Sequence, residues 1–330
     1  MKISIRTLTK LIFCIFISVS LLNISGCGCE SVFSEDGSKE DSIKIVTTIF
    51  PEYDFSKELT KGLSNFDISI LSKNGVDIHS YQPTVDDIIK ITSADIFIYV
   101  GGESDAWVDD VIKQNRNDNL IVINLLDLLK DNVKTEEIVQ GMEEEEGEEE
   151  NSFDEHVWLS LKNADLICNE IKNVLVITDP DHQQIFEKNY SDYSKKLNEL
   201  DQKYNNEIKN SSMDTVIFAD RFPFRYMFDD YNLNYYAAFP GCSSESEASF
   251  ETVIFLADKV DELNISSIVV LENSDGIIAD TIINNSSSSG IKILNMNSLQ
   301  SVTEKDISEG INYLQVMENN LNTVITALNP

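Results

Sequence analysis

The sequence predicts an α/β protein of two lobes, each a mainly parallel four-stranded sheet with flanking helices, joined by one long helix. Short apolar segments rich in β-branched residues recur in both halves of the 330-residue chain and alternate with helical patterns. They lack polar alternation, which is typical of parallel strands covered on both faces. A helical pattern of about thirty residues separates the two sets, and at 1.5 Å per residue it measures about 45 Å. That length exceeds what one small domain needs, so we interpret it as a connection between lobes.

The first 26 residues have the pattern of a secretory signal peptide. Lys2, Arg6 and Lys10 precede a short apolar segment, and small residues follow it. A transmembrane anchor is the alternative, but about fourteen apolar residues are too few to span a bilayer comfortably. The residues before Cys27 resemble a bacterial lipobox. We therefore expect cleavage before Cys27, a diacylglycerol on its sulfur, and a polar tether over residues 27–42 at the outer face of the cell membrane.

The charge of the chain restricts its partners. The sequence has 25 basic and 57 acidic residues, a formal charge of −32. Removing the signal peptide takes away three basic residues and no acidic ones, which leaves 22 − 57 = −35. Such a chain is repelled by nucleic acid and by anionic lipid, so we expect no nucleic-acid partner and attachment to the membrane through lipid alone. Cations are the favoured ligands, and we expect a monomer.

The strands and helices of both lobes follow from the same patterns. In the first lobe, residues 43–178, strands are predicted at 43–50, 67–72, 95–101 and 120–126. In the second lobe, residues 211–330, strands are predicted at 214–219, 234–239, 266–272 and 291–296, and helices at about 222–230, 247–263, 275–285 and 306–328. Ligands of such sheets bind beyond the C-terminal ends of the strands, which places a binding cleft between the lobes.

The linking helix is predicted over residues 179–210. Thr178 or Asp179 is placed to cap it, and Pro180 fits the first helical position, where its missing N–H costs nothing. An apolar stripe recurs every three or four residues along it, at Phe186, Tyr190, Tyr193, Leu197, Leu200, Tyr204 and Ile208. One face of the helix is therefore expected to be buried against both lobes.

Two of the three histidines are candidate metal ligands. His79 lies in a loop after the second predicted strand, and His156 follows the fourth strand and an acidic loop; each has a carboxylate nearby. A single loop histidine is usually structural or merely exposed, and His182 at the start of the linking helix is assigned to the surface. Two histidines that follow strand ends of one lobe can meet in one cleft, and neutral imidazoles there suit Zn²⁺, Mn²⁺ and neighbouring metals.

At these residues the sequence resembles a known family, the solute-binding lipoproteins of zinc and manganese ABC importers. The matching segments are IVTTIFPEYDF, GVDIHSYQPTVDD, DEHVWLSLKNA, the start of the linking helix, and PGCSSESEASFETVIFLADKVDEL. The resemblance implies two lobes, a rigid linking helix, a metal held between the lobes, and His79 and His156 in the first two ligand positions. It also implies an ABC permease as partner. Some members carry a cell-adhesion label, which no separate feature of this chain supports.

The remaining ligands depart from the pattern of this family. Its third ligand, a histidine or glutamate after the first strand of the second lobe, falls on Ala219 or Arg221, so Asp220 between them is the nearby candidate. The family's late carboxylate falls near Asn297, which offers a neutral oxygen, and Glu272 is a further possible oxygen donor. Arg221 is interpreted as a possible structural partner of one of these acids.

The acidic loop and the cysteines complete the candidate features. Residues 142–153 contain seven glutamates and no histidine, where many zinc-binding relatives have a histidine-rich loop. Densely packed like charges favour disorder, and the loop either is merely solvated or gathers cations weakly near the cleft.

Cys168 is predicted to be a buried apolar residue in a helix, and Cys242 is assigned to a loop without a role.

We therefore predict an extracytoplasmic lipoprotein that captures a divalent transition metal, zinc in preference to manganese, and delivers it to an ABC importer. A metal-dependent hydrolase using the same histidines is one alternative. The chain has no HExxH, no GxSxG and no glycine-rich phosphate loop, and the residues around His79 and His156 give no nucleophile and base pair. A binding protein for another ligand on the same scaffold is the second alternative.

Overall fold

The structure, a computed structural model, describes residues 42–143, 152–243 and 247–330. These residues contain two four-stranded sheets whose paired strands are all parallel, with the orders β2-β1-β3-β4 and β6-β5-β7-β8. The strands are β1 Ile43–Thr47, β2 Phe66–Ile70, β3 Ile96–Tyr99, β4 Ile121–Asn124, β5 Thr215–Phe222, β6 Asn234–Pro240, β7 Ser267–Leu271 and β8 Lys292–Met296. The predicted two-lobed α/β fold is confirmed, and every predicted strand is present.

Helices flank both sheets. In the described residues they are α1 Phe50–Leu59, α2 Val85–Thr92, α3 Trp107–Gln114, α4 Leu125–Leu129, α5 Leu161–Thr178, α6 Gln183–Lys209, α7 Arg225–Asp230, α8 Phe250–Leu263, α9 Ile277–Asn285, α10 Glu304–Glu309 and α11 Tyr313–Leu328. The prediction of one helix over 306–328 was wrong. Gly310, with φ of 88°, ends α10, and the Asn312 side chain accepts the Gln315 N–H to cap α11.

The long helix α6 has 27 residues and begins later than predicted. A single 3-10 turn, Pro180–His182, precedes it, with Pro180 in its first position. The Asp179 carboxylate accepts hydrogen bonds from the side chains of Asn65 and His182, at 2.9 and 2.7 Å, instead of capping a helix N–H. The apolar stripe is buried as predicted, except that Tyr190 is half-buried.

The two lobes are joined by more than the linking helix. One continuous hydrophobic cluster includes residues of both sheets, of α6 and of the last helix α11. The Trp158 indole N–H of the first lobe donates to the Ser298 carbonyl of the second at 2.9 Å. The Tyr313 N–H at the start of α11 donates to the Asp54 carboxylate at 3.0 Å, and the Tyr313 hydroxyl donates to the Trp158 carbonyl at 2.6 Å. The lobes therefore share one core, and the cleft lies where the strand ends of both sheets face each other.

Candidate metal centre

His79 and His156 are brought together at the strand ends of the first lobe. His79 lies in a 3-10 turn, Ile78–Ser80, after β2, and the Asp77 carboxylate caps this turn by accepting the His79 N–H at 3.0 Å. His156 directly precedes the 3-10 turn Val157–Leu159. The two Nε2 atoms are 3.2 Å apart. In a tetrahedral zinc site, two nitrogen ligands at about 2.0–2.1 Å from the metal lie about 3.3 Å from each other, so this spacing fits one shared ion.

Hydrogen bonds on the opposite ring nitrogens determine how the two rings face each other. His156 Nδ1 lies 2.9 Å from Asp154 Oδ1, and His79 Nδ1 lies 2.8 Å from Ser104 Oγ. The Glu155 carboxylate accepts the Ser104 N–H at 3.0 Å and lies 3.7 Å from His79 Nδ1, which favours a proton on that nitrogen. We therefore assign the Nδ1–H tautomer to both rings, which directs both Nε2 lone pairs at each other. Facing lone pairs at this distance repel each other unless a metal ion or a proton lies between them.

The pair binds protons unequally because the surroundings of the two rings differ. Burial, followed by the proximity of His156, lowers the pKa of His79 to about 3. Burial also opposes charge on His156, but the adjacent Asp154 carboxylate outweighs it and raises the pKa of His156 above its ordinary value. In the metal-free protein, acidification therefore adds a proton to His156 before it adds one to His79.

This difference predicts a distinct pH response. In the metal-free protein we expect the His156 ring to titrate above pH 6.5 and the His79 ring to stay neutral at pH 5. Because metal must displace the His156 proton, affinity should begin to fall above pH 6.5 as the solution is acidified. Imidazole ¹⁵N chemical shifts followed against pH, and assigned with single histidine variants, measure both titrations. Protonation of His79 near pH 6.5 would contradict this expectation.

A cavity of about 370 Å³ leads from solvent to His79. Its lining includes Asp77, Asp220, Glu272 and Asp275, with Arg221 as the basic residue among them. His156 is fully buried and is absent from this lining, so it lies behind His79 as seen from the cavity. The excess of carboxylates attracts cations toward the histidine pair.

The three predicted oxygen donors of the second lobe are engaged in hydrogen bonds. The two carboxylate oxygens of Asp220 accept the N–H groups of Arg221 and Leu271, at 2.9 and 3.2 Å. Glu272 accepts from the backbone and hydroxyl of Ser298 at 3.0 and 2.7 Å. Asp220 and Glu272 line the cavity but do not belong to the group of ligand atoms around the histidines.

Asn297 lies further from the cavity. Its side-chain oxygen accepts the Leu299 N–H at 2.8 Å, and its backbone N–H and carbonyl both pair with Asn320. Asn297 is absent from the cavity lining. Its hydrogen bonds hold the loop after β8 in place.

Arg221 connects the two lobes beside the histidines. Its guanidinium donates to Asp77 at 2.6 Å and to the Ser243 carbonyl at 3.2 Å. The expected structural role is present, but the partner is Asp77 and not Asp220 or Glu272. The register of β5 against β6 is irregular between Phe218 and Arg221, and from the end of this segment the Arg221 side chain reaches Asp77 of the first lobe.

Cys242 is the residue near this site that the sequence analysis missed. Among the described residues, His79, His156 and Cys242 form a group whose ligand atoms all lie within 4.8 Å of one another. Burial, and then the charges of Glu136, Asp154 and Glu155, raise the pKa of its thiol well above the ordinary value. The available signal was its position two residues after β6, at the same edge of the second sheet as Asp220. Cys168, by contrast, is fully buried in α5 as predicted.

The acidic loop begins and ends in the fold. Met142 is buried, the Glu143 N–H donates to the Ala238 carbonyl at 2.9 Å, and its carboxylate accepts the Ser249 N–H. Phe153 pairs with Thr135 in an isolated bridge. Residues 144–151, on which the expected disorder rests, lie outside the described residues. Glu143 is thus bound to the second lobe through Ala238 and Ser249.

Two parallel α/β lobes joined by a long helix, with a histidine pair in the cleft, define the class of solute-binding proteins that serve metal importers. The family described as zinc-uptake complex component A, periplasmic, matches residues 45–327, and the chain belongs to it. This family is a component of an uptake complex and not a family of enzymes, which sets the hydrolase alternative aside.

Named relatives and solved structures agree with this assignment. The zinc-binding lipoprotein AdcA of Streptococcus pneumoniae is 31% identical over 318 residues, covering 92% of this chain; the chain spans 59% of the length of AdcA. The high-affinity zinc uptake system protein ZnuA of Bacillus subtilis is 29% identical over 322 residues, covering 94% of this chain and 96% of that protein. The Zn(II)-bound ZnuA-like domain of Streptococcus pneumoniae AdcA matches with a TM-score of 0.69 and 28% identity, over 88% of this chain and 100% of that domain.

Proposed function

We propose that this protein captures zinc between its lobes and delivers it to an ABC permease. The observation that carries the proposal is the pair of Nε2 atoms 3.2 Å apart, with each opposite nitrogen held by a hydrogen bond. The ion is cargo, so the site must bind it and later release it. The names of the relatives, a zinc-binding lipoprotein and a zinc uptake protein, support zinc as the ion.

Zinc suits this site better than manganese for a chemical reason. Imidazole is a borderline ligand that binds zinc well, whereas manganese favours carboxylate and water oxygens in a larger coordination shell. Asp220 and Glu272 already accept two hydrogen bonds each, which limits their use as oxygen ligands. The two histidine nitrogens therefore determine which metal the site prefers.

Metal analysis of the untagged protein tests the function directly. We expect one zinc per chain after purification, its loss on dialysis against a chelator, and its return in preference to manganese when both are offered at equal concentration. Removing the tag matters because polyhistidine binds zinc itself. A protein that takes up no zinc, or that retains a different bound small molecule, would overturn the proposal in favour of another ligand on this scaffold.

We propose that a diacylglycerol on Cys27 holds the protein at the outer face of the cell membrane. Cys27 lies outside the described residues, and in the described ranges no helix is both long and apolar enough to cross a bilayer. Cys27→Ala should therefore move the protein from the membrane fraction to the soluble fraction of cells that lack the permease. Cys29→Ala is the matched control and should stay with the membranes. Retention of the Cys27 variant in the membrane pellet would count against lipid anchoring.

A further inference from the structure

The second lobe carries a sulfur atom within reach of the histidine pair. Cys242 follows β6, and its ligand atom lies within 4.8 Å of those of His79 and His156. In a tetrahedral zinc site, a sulfur at about 2.3 Å and a nitrogen at about 2.0–2.1 Å from the metal lie about 3.6 Å apart. Bringing the three ligand atoms to one ion thus needs a movement of at most about 1 Å.

The loop that carries Cys242 is packed directly onto His156. A Cβ at Gly241 would lie 3.2 Å from His156 Cε1 and 2.8 Å from the Phe222 carbonyl, so only glycine allows this approach. The Gly241 N–H donates to Glu136 at 2.6 Å. The backbone beside Cys242 is therefore held against the His156 ring.

Arg221 holds the same loop from the other side. Its guanidinium joins the carbonyl of Ser243, next to Cys242, to the carboxylate of Asp77, two residues before His79. Arg221 is one of the two positions, with Ala219, at which the family resemblance places the third ligand, and its side chain cannot bind a metal. Its hydrogen bonds instead hold the loop that carries Cys242 next to the turn that carries His79.

The charges around the three ligand atoms complete the arrangement. Glu136, Asp154 and Glu155 are near Cys242, and Asp154 and Glu155 also lie behind the two histidines. Glu155 Oε2 is buried without a hydrogen-bond partner, 3.7 Å from His79 Nδ1. A zinc ion with two neutral imidazoles and one thiolate keeps one positive charge, which these carboxylates stabilise.

We propose that Cys242 is the third ligand, so that a His₂Cys site spans the two lobes. This inference rests on the proposed zinc-binding function and specifies its chemistry. A thiolate selects zinc and softer ions over manganese, magnesium and calcium. A water molecule completes the tetrahedron, because both carboxylate oxygens of Asp220 already accept backbone hydrogen bonds.

Cobalt substitution tests the sulfur directly, because a thiolate bound to Co²⁺ gives a near-ultraviolet charge-transfer band. We expect this band in the full chain, its loss in Cys242→Ser, and its retention in Cys168→Ala, which removes a thiol from the core of the first lobe. Zinc affinity, measured against a chromophoric chelator, should fall at least tenfold in Cys242→Ser and less in Asp220→Asn.

The possible failures are distinguishable. Histidine-dependent cobalt binding without the band in the parent protein would overturn the thiolate ligand and leave the two-histidine function standing, even if Cys242→Ser failed to fold. A band that survives in Cys242→Ser would overturn it likewise. Binding that is unchanged in the double variant of His79→Ala and His156→Ala would overturn the proposed function and the Cys242 ligand together.

Discussion

Replacing His79 or His156 by alanine is expected to weaken zinc binding by roughly 100- to 1000-fold. Four-ligand zinc sites have apparent binding free energies of about 10–16 kcal/mol, which corresponds to roughly 2.5–4 kcal/mol per ligand. The two side chains are 8% and 0% exposed, so the surrounding protein holds both rings in place for the metal. Competition titration with a chromophoric chelator measures the change.

The third histidine supplies a matched control. His182 lies at the start of α6, donates to Asp179 and is half-exposed, so His182→Ala should leave zinc affinity unchanged. Asp154→Asn should lower affinity by about 10- to 100-fold, since a carboxylate behind a ligating histidine fixes its orientation and its basicity. Parent-like affinity in both His79→Ala and His156→Ala would refute the metal site.

Replacing Trp158 by alanine is expected to lower the free energy of unfolding by about 3–5 kcal/mol, the usual cost of deleting a large buried aromatic ring. Trp158 is fully buried, and its indole N–H joins the two lobes through the Ser298 carbonyl. That carbonyl would lose its partner as well. Denaturant titration with linear extrapolation measures the loss.

The chain contains one other tryptophan, and it is the natural comparison. Trp107 begins α3 and is half-buried at the side of the first sheet. Trp107→Ala should therefore cost clearly less than Trp158→Ala. Equal losses in the two variants would show that Trp158 contributes no more than an ordinary partly buried ring.

The fold was predictable because its determinants are local. Eight apolar segments without polar alternation indicated covered parallel strands, and the stripe along α6 indicated one buried face. The incorrect predictions depended on single residues. Gly310 adopts a left-handed conformation that divides the last predicted helix, and Asp179 bonds side chains instead of capping α6. A pattern that spans many residues tolerates single exceptions. The partner of one particular residue, by contrast, depends on contacts that are distant in sequence.

The site was predictable only in part, for the same reason. His79 and His156 follow strand ends of one sheet, so topology alone brings them together. Cys242 belongs to the other lobe, and its approach depends on Gly241 fitting against His156 and on Arg221 extending to Asp77. Both contacts join residues more than 80 positions apart. The spacing of residues along the sequence does not predict these two contacts.

The hydrogen bond between Asp54 and Tyr313 joins residues 259 positions apart, and it bears on how the chain folds. Asp54 belongs to α1 beside the first sheet, but its buried partner arrives with the last helix. Loop closure over such a distance must precede the gain from the contact, which slows folding. The first lobe therefore reaches its native packing only after the last helix has docked. Because the lobes share this contact and one core, we expect them to unfold in one cooperative transition.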